Sequence, residues 1–461
     1  MQNVFEEVSS LDQKCYTKYA LSEDLLMEHA ANAMYQFIDY TLSSKEDTIF
    51  IVAGSGNNGA DGIALARLLH QKYEVKLYIP FGVKSNMAKL QYKRAKLVGI
   101  KTVTYIHKSD IIVDCLFGSG LNRALDKKSK SIIEKLNSIN GYKLSCDIPS
   151  GINNKGQIES VAFHSDTTIT MGALKKSLFT DYAKDYIGNI IVANLGVQRK
   201  LYENKTDTFL LEKSDIKLPL RNKKDSHKGS YGHLSVVVGE KKGAALLCAD
   251  AGFSFGCGLI TAVVNKELKK IPNYIMQSDT IPANTTAICI GMGLGKKYDR
   301  SILSNDIPKV IDADLFYNKN ILSLLDKKNV VLTPHPKEFC ALLKLTNIAN
   351  ISIDTLQNNR FTYLEEFTKK YPKVTLLLKG ANVLIGSNKK IYINTYGTSA
   401  LSKGGSGDVL CGLIGSLMAQ GYNALEATIS GSLAHTLASL NYKDNNYSLT
   451  PQELINQIKK L

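Results

Sequence analysis

Residues 48–69 read TIFIVAGSGNNGADGIALARLL, and three local patterns follow one another in that stretch. Thr48 to Ala53 is a short, continuous apolar run, the pattern of a strand buried on both faces. Gly54-Ser55-Gly56-Asn57-Asn58-Gly59-Ala60-Asp61-Gly62 then turns the chain, and Ile63 to Leu69 continues with helical apolar spacing. A strand that enters a helix through a glycine turn leaves the first helical N–H groups unpaired and facing an anion. The turn also spells G-x-G-x-x-G. The dinucleotide fingerprint of that form wants an acid about 20 residues on, at the end of the second strand. Here the second strand ends at Tyr78-Ile79-Pro80 and Glu74 precedes it, which disfavours an ordinary nicotinamide dehydrogenase.

Outward from this turn the same alternation recurs. Residues 9–42 are helix-biased, with Leu21, Leu25, Leu26 and Met34 on a recurring face. Strands are predicted over 75–79, 111–116 and 142–146, with helices over 85–98 and 129–139, which makes a parallel sheet covered on both faces. From about 198 to 225 the chain turns charged and poor in apolar residues, so a boundary is placed near 204, giving domains 1–204 and 205–461. Further strands over 234–238, 287–290, 309–311, 330–332 and 375–378, then helices over 408–419 and 424–440, define a second α/β domain.

The chain has 461 residues, 44% apolar and 21% charged, which supports sizeable cores and excludes disordered or collagen-like classes. Its net charge is 57 − 42 = +15. That charge is spread in doublets such as Lys127-Lys128, Lys241-Lys242, Lys389-Lys390 and Lys459-Lys460, without the aromatic interleaving of single-strand binders. A solvated basic surface that steers anions is expected, and nucleic acid is not. The cysteines Cys15, Cys115, Cys146, Cys248, Cys257, Cys289, Cys340 and Cys411 lie in apolar stretches without finger-like spacing, so buried thiols in a reducing compartment are expected. No signal peptide is visible at the N-terminus, and 244–264 is broken by Asp250 and glycines, so the reading is a soluble cytoplasmic chain with no membrane span.

Two constellations carry chemistry. In the first half, Asp114 before Gly118-Ser119-Gly120-Leu121-Asn122-Arg123, and Asp147-Ile148-Pro149-Ser150-Gly151, stand at strand ends that open on the same sheet edge as the 54–62 turn. Asn58, Asp114, Asp147 and Ser150 could share one crevice there. Oxygen ligands without thiol or imidazole suit a hard cation, and the aspartates could instead grip ribose or move a proton. In the second half, Gly404-Gly405-Ser406-Gly407-Asp408 runs into an apolar helix, placing a carboxylate behind an amide-exposing turn suited to phosphoryl transfer. Gly291-Met292-Gly293, Asp312-Ala313-Asp314, Pro334-His335-Pro336 and Lys379-Gly380-Ala381-Asn382-Val383 follow other strands.

With these motifs and Leu26-Met27-Glu28-His29-Ala30, residues 1–204 resemble the NAD(P)H-hydrate epimerase domain. The resemblance implies a Rossmann-like three-layer αβα fold. Asn57, Asn58, Gly59, Ala60, Asp61 and the loop Gly118, Ser119, Gly120, Leu121, Asn122, Arg123, Ala124 would hold the hydrated nucleotide. Asp147 would lie at the hydrated ring and handle a proton, and potassium would bind Asn58, Asp114 and Ser150. Ala60 stands where that family usually has glycine, and His29 where it commonly has asparagine.

The motifs of residues 225–450, with His227-Lys228-Gly229-Ser230-Tyr231-Gly232 and Gly243-Ala244-Ala245, resemble the ADP- or ATP-dependent NAD(P)H-hydrate dehydratase, of ribokinase-like α/β fold. That resemblance implies hydrated-nucleotide contacts at Ala245, Gly293, His335 and Asp408. Lys379, Gly380, Ala381, Asn382, Val383 and Gly407 would line ADP or ATP, with magnesium on its phosphates. Departures lie at Gly397-Thr398-Ser399 and Ser402-Lys403, where the family more often shows Gly-Asn and Thr-Gly.

Together the resemblances imply a fused repair enzyme for hydrated NADH and NADPH. Asp408 would deprotonate the ring hydroxyl for attack on the donor phosphoryl, phosphate would leave, and the first domain would interconvert the two isomers. A homo-oligomer is expected. The alternative is a ribokinase-like small-molecule kinase fused to a nucleotide-binding module.

Overall fold

The computed structural model describes residues 1–42, 44, 47–295 and 298–461. The chain forms two compact units, one of Asn3–Thr206 and one of Met1–Gln2 with Asp207–Leu461.

The first unit is built on seven strands: β1 (Thr48–Ala53), β2 (Glu74–Tyr78), β3 (Thr102–Val103), β4 (Ile111–Cys115), β5 (Tyr142–Cys146), β6 (Thr167–Met171) and β7 (Asn189–Ala193). All pair in parallel, in the order β3-β2-β1-β4-β5-β6-β7. The chain starts mid-sheet, winds outward on one side, and returns past β1 to continue on the other. The order therefore reverses between β1 and β4, where open parallel sheets leave a crevice. The unbroken apolar run of β1 has a direct cause. Ile49, Ile51 and Ala53 pack into one core with residues of α1 (Glu23–Phe37) and α2 (Asn57–Leu69). Phe50 and Val52 pack into another with Ile132, Ile133 and Leu136 of the helix Lys127–Asn137.

In α1 the Ser22 side chain caps the helix by accepting from Leu25 N–H, and Leu25 itself is 47% exposed, so it is not part of the predicted apolar face. Leu26, Met27, Ala30 and Met34 make up the buried stripe instead.

The second unit carries β8 (His233–Val237), β9 (Leu259–Val263), β10 (Ile275–Ser278), β11 (Ala287–Ile290), β12 (Lys309–Ile311), β13 (Val330–Leu332), β14 (Thr375–Leu378), β15 (Val383–Ser387) and β16 (Lys390–Asn394). They run in the order β10-β9-β8-β11-β12-β13-β14-β15-β16. The first seven of that row are parallel, and β15 and β16 form an antiparallel hairpin at its side. Its two-residue turn, Asn388-Lys389, has φ of 46° and 65°, the twist a tight hairpin needs.

One face of this sheet is covered by α3 (Lys242–Ser254) and the almost wholly buried α4 (Ser406–Ala419), with α5 (Ala424–Leu440) packed on α4. Glycine lets α4 sit this close. A Cβ on Gly412 would lie 2.2 Å from the Cys248 carbonyl oxygen, and one on Gly415 would lie 2.2 Å from Cys289 Sγ. Seven of the eight cysteines are buried free thiols, and Cys340 is partly buried. Among the described residues no helix is long and apolar enough to cross a membrane.

The turn after β1 is the tightest close approach in the first unit's site. A Cβ on Gly59 would fall 1.9 Å from the Gly54 carbonyl oxygen, whereas one on Gly56 would meet nothing within 4 Å. Gly59→Ala should therefore destabilise the fold by about 1–3 kcal/mol in urea unfolding, the usual range for overpacking. Gly56→Ala should stay within about 0.5 kcal/mol of the parent.

Candidate active sites

In the first unit, the carboxyl ends of β1, β4 and β5 open on a crevice of about 470 Å³. The β1 turn and the segment after β4 meet through backbone, since a Cβ on Gly54 would lie 1.9 Å from the Leu116 carbonyl oxygen. Asn57, Asn58, Asp61, Gly118 to Arg123 and Asp147 line the crevice. Gly59, Ala60 and Ala124 are not among its lining residues. Ala60 lies inside α2, without the positive φ that only glycine tolerates well, and packs against Met27 and Ala88. Its methyl group therefore strains nothing in the loop.

Beneath the crevice, Asp114 is fully buried, and its carboxylate accepts from Ser150 N–H at 2.7 Å, Ser150 Oγ at 2.6 Å and Leu116 N–H at 3.1 Å. Burial raises its pKa to about 6 against the pull of these bonds, and no cationic side chain is among their causes. The Asn58 Nδ2 amide is buried without a partner, and Asn58 lies against Gly118, whose Cβ would sit 2.8 Å from Asn58 Oδ1. Asp114 and Ser150 thus present oxygens beneath the crevice that Asn58 lines, and the Asp114 carboxylate has no ion-pair partner among the described residues.

Asp147 follows β5 with φ of +68°, a left-handed conformation held by its contacts. Its carboxylate accepts from Lys175 Nζ at 2.6 Å, from Met171 N–H at 3.2 Å and from Ser119 N–H at 3.2 Å. Burial pushes its pKa up, but the Lys175 ammonium prevails and holds it below the ordinary carboxylate range. Lys175 is 1% exposed and also donates to Thr170 Oγ1 at 2.9 Å and to the Met171 carbonyl at 3.1 Å. The sequence reading missed it, because one half of a Lys-Lys doublet carries no mark of burial.

In the second unit the candidates again gather at strand carboxyl ends. Asp312 follows β12 and Lys379 follows β14; Asp312 Oδ1 accepts from Lys379 Nζ at 2.8 Å and from Thr333 Oγ1 at 2.9 Å. A Cβ on Gly407 would lie 3.3 Å from Lys379 Nζ, so the start of α4 abuts this ion pair. Gly293, with φ of +55°, approaches Lys241, and Ala245 is buried in α3.

The sequence reading opens the last glycine-led helix at Asp408. The structure opens it at Ser406, after Gly405 at φ of +92°, with no side-chain cap. The Asp408 carboxylate is therefore not spent on capping. Burial raises its pKa to about 6, the Asp312 charge adds to the rise, and Lys379 opposes it. The first turn of α4 is braced from behind by His435, whose Nε2 lies 3.1 Å from Ser406 Oγ; burial lowers its pKa to about 4, so the ring is neutral.

His335 caps the helix Pro336–Leu345: its Nδ1 accepts from Glu338 N–H at 3.3 Å, and Glu338 Oε2 accepts from His335 N–H at 2.8 Å. Its side chain is still 45% exposed, so a capping role and a solvent-facing edge coexist. The loop from Lys379 to Val383 is held by a residue the sequence reading missed. Buried Arg360 donates to the carbonyls of Leu378 at 3.2 Å, Lys379 at 3.1 Å and Asn382 at 3.0 Å. No spacing rule marks a lysine or arginine that serves a strand end tens of residues away.

A family model described as NAD(P)H-hydrate dehydratase matches residues 234–460, and one described as YjeF-related protein N-terminus matches residues 23–177. A bifunctional NAD(P)H-hydrate repair enzyme Nnr of Helicobacter pylori is 44% identical over 476 residues, covering 100% of both chains. One from Dictyoglomus turgidum is 31% identical, covering 98% of this chain and 96% of its own. A solved structure of an ADP/ATP-dependent NAD(P)H-hydrate dehydratase from Bacillus subtilis, co-crystallised with ATP and Mg²⁺, is 23% identical with a TM-score of 0.42, over 52% of this chain and 92% of its own. With a full-length relative at that level of identity and both family models in register with the two units, the chain belongs to the bifunctional NAD(P)H-hydrate repair enzymes.

Proposed function

We propose that this chain restores hydrated NADH and NADPH in two steps, residues 1–204 interconverting the R and S forms and residues 205–461 dehydrating the S form with ADP or ATP. The observation that carries the dehydratase half is Asp408, uncapped and partly buried beside the Lys379–Asp312 pair at an amide-exposing helix start. Lys379 and the N–H groups around Gly405 to Gly407 meet the donor phosphates, and the loop braced by Arg360 lines the nucleotide. Ala245, Gly293 and His335 position the hydrated ring.

The chemistry follows from the leaving group. Hydroxide departs poorly, whereas phosphate departs readily with the ring nitrogen pushing electrons toward an iminium. Asp408 takes the proton of the ring hydroxyl, its oxygen attacks the terminal phosphoryl, phosphate leaves, and loss of a ring proton restores the dihydropyridine. The amides and Lys379 stabilise the charge in transit. Magnesium on the donor phosphates would neutralise part of their charge; it keeps several waters and takes one or two carboxylates, and this edge offers Asp312 and Asp408.

In the first unit, a potassium ion suits the oxygens of Asn58, Asp114 and Ser150, and the buried Asp114 carboxylate has no cationic partner among the described residues. When bound it would neutralise Asp114 and fix the loop after β4. That loop supplies the Ser119 N–H to Asp147.

Purified protein given both isomers of hydrated NADH, a nucleotide donor, magnesium and potassium should restore the full dihydronicotinamide absorbance. A stable phosphate ester in place of free phosphate would instead identify a kinase. Asp408→Asn should lower dehydration by ~10²–10⁴-fold while epimerisation persists. Because Asp408 must be ionised to act and its pKa is raised to about 6, dehydration kcat/KM should fall as pH drops through about 6. Asp114→Ala should abolish the potassium dependence of epimerisation, measured by titrating potassium against the isomer-exchange rate.

A further inference from the structure

Of the three carboxyls that line the crevice of the first unit, Asp12, Asp61 and Asp147, the last two stand in opposite surroundings. Asp147 receives an ammonium at 2.6 Å and two backbone N–H groups, all favouring its charged form. Asp61, in the second turn of α2 and 9% exposed, has one hydrogen-bond partner among the described residues, the Cys146 thiol 3.9 Å from Oδ2. Among the described residues no cation pairs with it. Arg123, the cationic side chain among the lining residues, is exposed, and other groups around the pair reinforce the contrast. Asp12, which accepts from Tyr202 OH at 2.7 Å, and Glu23 at the start of α1 add negative charge, and the Cys115 and Cys146 thiols are pushed up by burial and stay protonated.

Resting on the epimerase reading above, we infer that Asp147 is the general base and Asp61 the general acid of isomer exchange, that the exchange runs by opening the hydrated ring, and that Lys175 is the positioning residue that divides the two roles. Burial lifts the Asp61 carboxyl well above its ordinary range, with the Asp147 and Asp12 charges adding to it, while Lys175 keeps Asp147 below that range. Two like groups driven apart in this way mark an acid and a base.

The hydrated carbon bears a hydroxyl and the ring nitrogen, and so is a carbinolamine. Asp147 takes the hydroxyl proton, the O–H electron pair becomes the second bond of an aldehyde, and the carbon–nitrogen bond breaks. Its electron pair stays on nitrogen, which takes the proton from Asp61. Rotation about the adjoining carbon–carbon bond presents the other aldehyde face. The nitrogen then attacks that face, its proton returns to Asp61, and the oxygen regains its proton from Asp147. Nothing is oxidised, no co-reactant is consumed, and the oxygen atom on that carbon is retained.

The test uses the full chain with one isomer of hydrated NADH and potassium in ¹⁸O water, with the isomers resolved chromatographically. Wild-type epimerisation should proceed with no solvent oxygen entering at the hydrated carbon. Asp61→Asn should slow exchange by ~10²-fold or more. Lys175→Met should move the acid limb of the exchange profile to higher pH, because Asp147 loses the cation that holds its pKa down; a merely loosened fold would lower the rate without moving that limb. One solvent oxygen per exchange, or exchange at the parent rate in Asp61→Asn, would overturn the inference. The isotope arm needs no variant, so it decides even if Asp61→Asn fails to fold. Absence of exchange in the wild type would remove the epimerase reading itself, a result distinct from exchange by another route.

Discussion

A parallel sheet buried on both faces leaves little room for unpaired polar side chains along its strands, and its backbone groups are consumed by the ladder. Polar chemistry is left the carboxyl edge, where strands end, turns begin and helix amino ends point outward. In β1 that constraint is complete, with Ile49, Ile51 and Ala53 committed to one core and Phe50 and Val52 to the other. Asp147, Asp312 and Lys379 each stand one residue beyond a strand, and Asp114 occupies the next-to-last position of β4. The sites follow from the layers, and the loops between strand and helix are free to be shaped by chemistry.

Placing carboxyls at such an edge buries them, and burial without a partner is costly. The chain meets this in the same way in each unit. Asp147 takes Lys175 at 2.6 Å, and Asp312 takes Lys379 at 2.8 Å, each lysine coming from beyond a different strand. Removing one member of such a pair leaves an uncompensated charge, which costs more than the pair contributes. Among the described residues Asp114 and Asp408 have no such cation at hydrogen-bond distance, and burial raises both to about 6. Burial also raises Asp61 well above its ordinary range, with the Asp147 and Asp12 charges adding to the rise. A graded series of aspartates arises from one residue type by varying what stands beside it.

The strands and glycine turns were legible because their signals are local. Residues 142–146, 287–290, 309–311, 330–332 and 375–378 are strands with the predicted bounds. The hairpin of β15 and β16 was not legible, because its turn, Asn388-Lys389, lacks glycine and its lysines look like surface charge. Asp147 and Asp408 stood out by their glycine-rich settings. Lys175, Arg360 and His435 did not, since each acts on a group 18 to 29 residues away in sequence, across the fold. Nor does a run of glycines say which one is indispensable. Gly59 cannot carry a side chain, whereas its neighbour Ala60 carries one without strain.

Arg360 grips its loop through the carbonyls of Leu378, Lys379 and Asn382. Such a brace is blind to side-chain identity, so the loop's shape is inherited separately from its surface. The frame of this loop is thus set by three contacts that would read the same carbonyls whatever side chains the loop displayed.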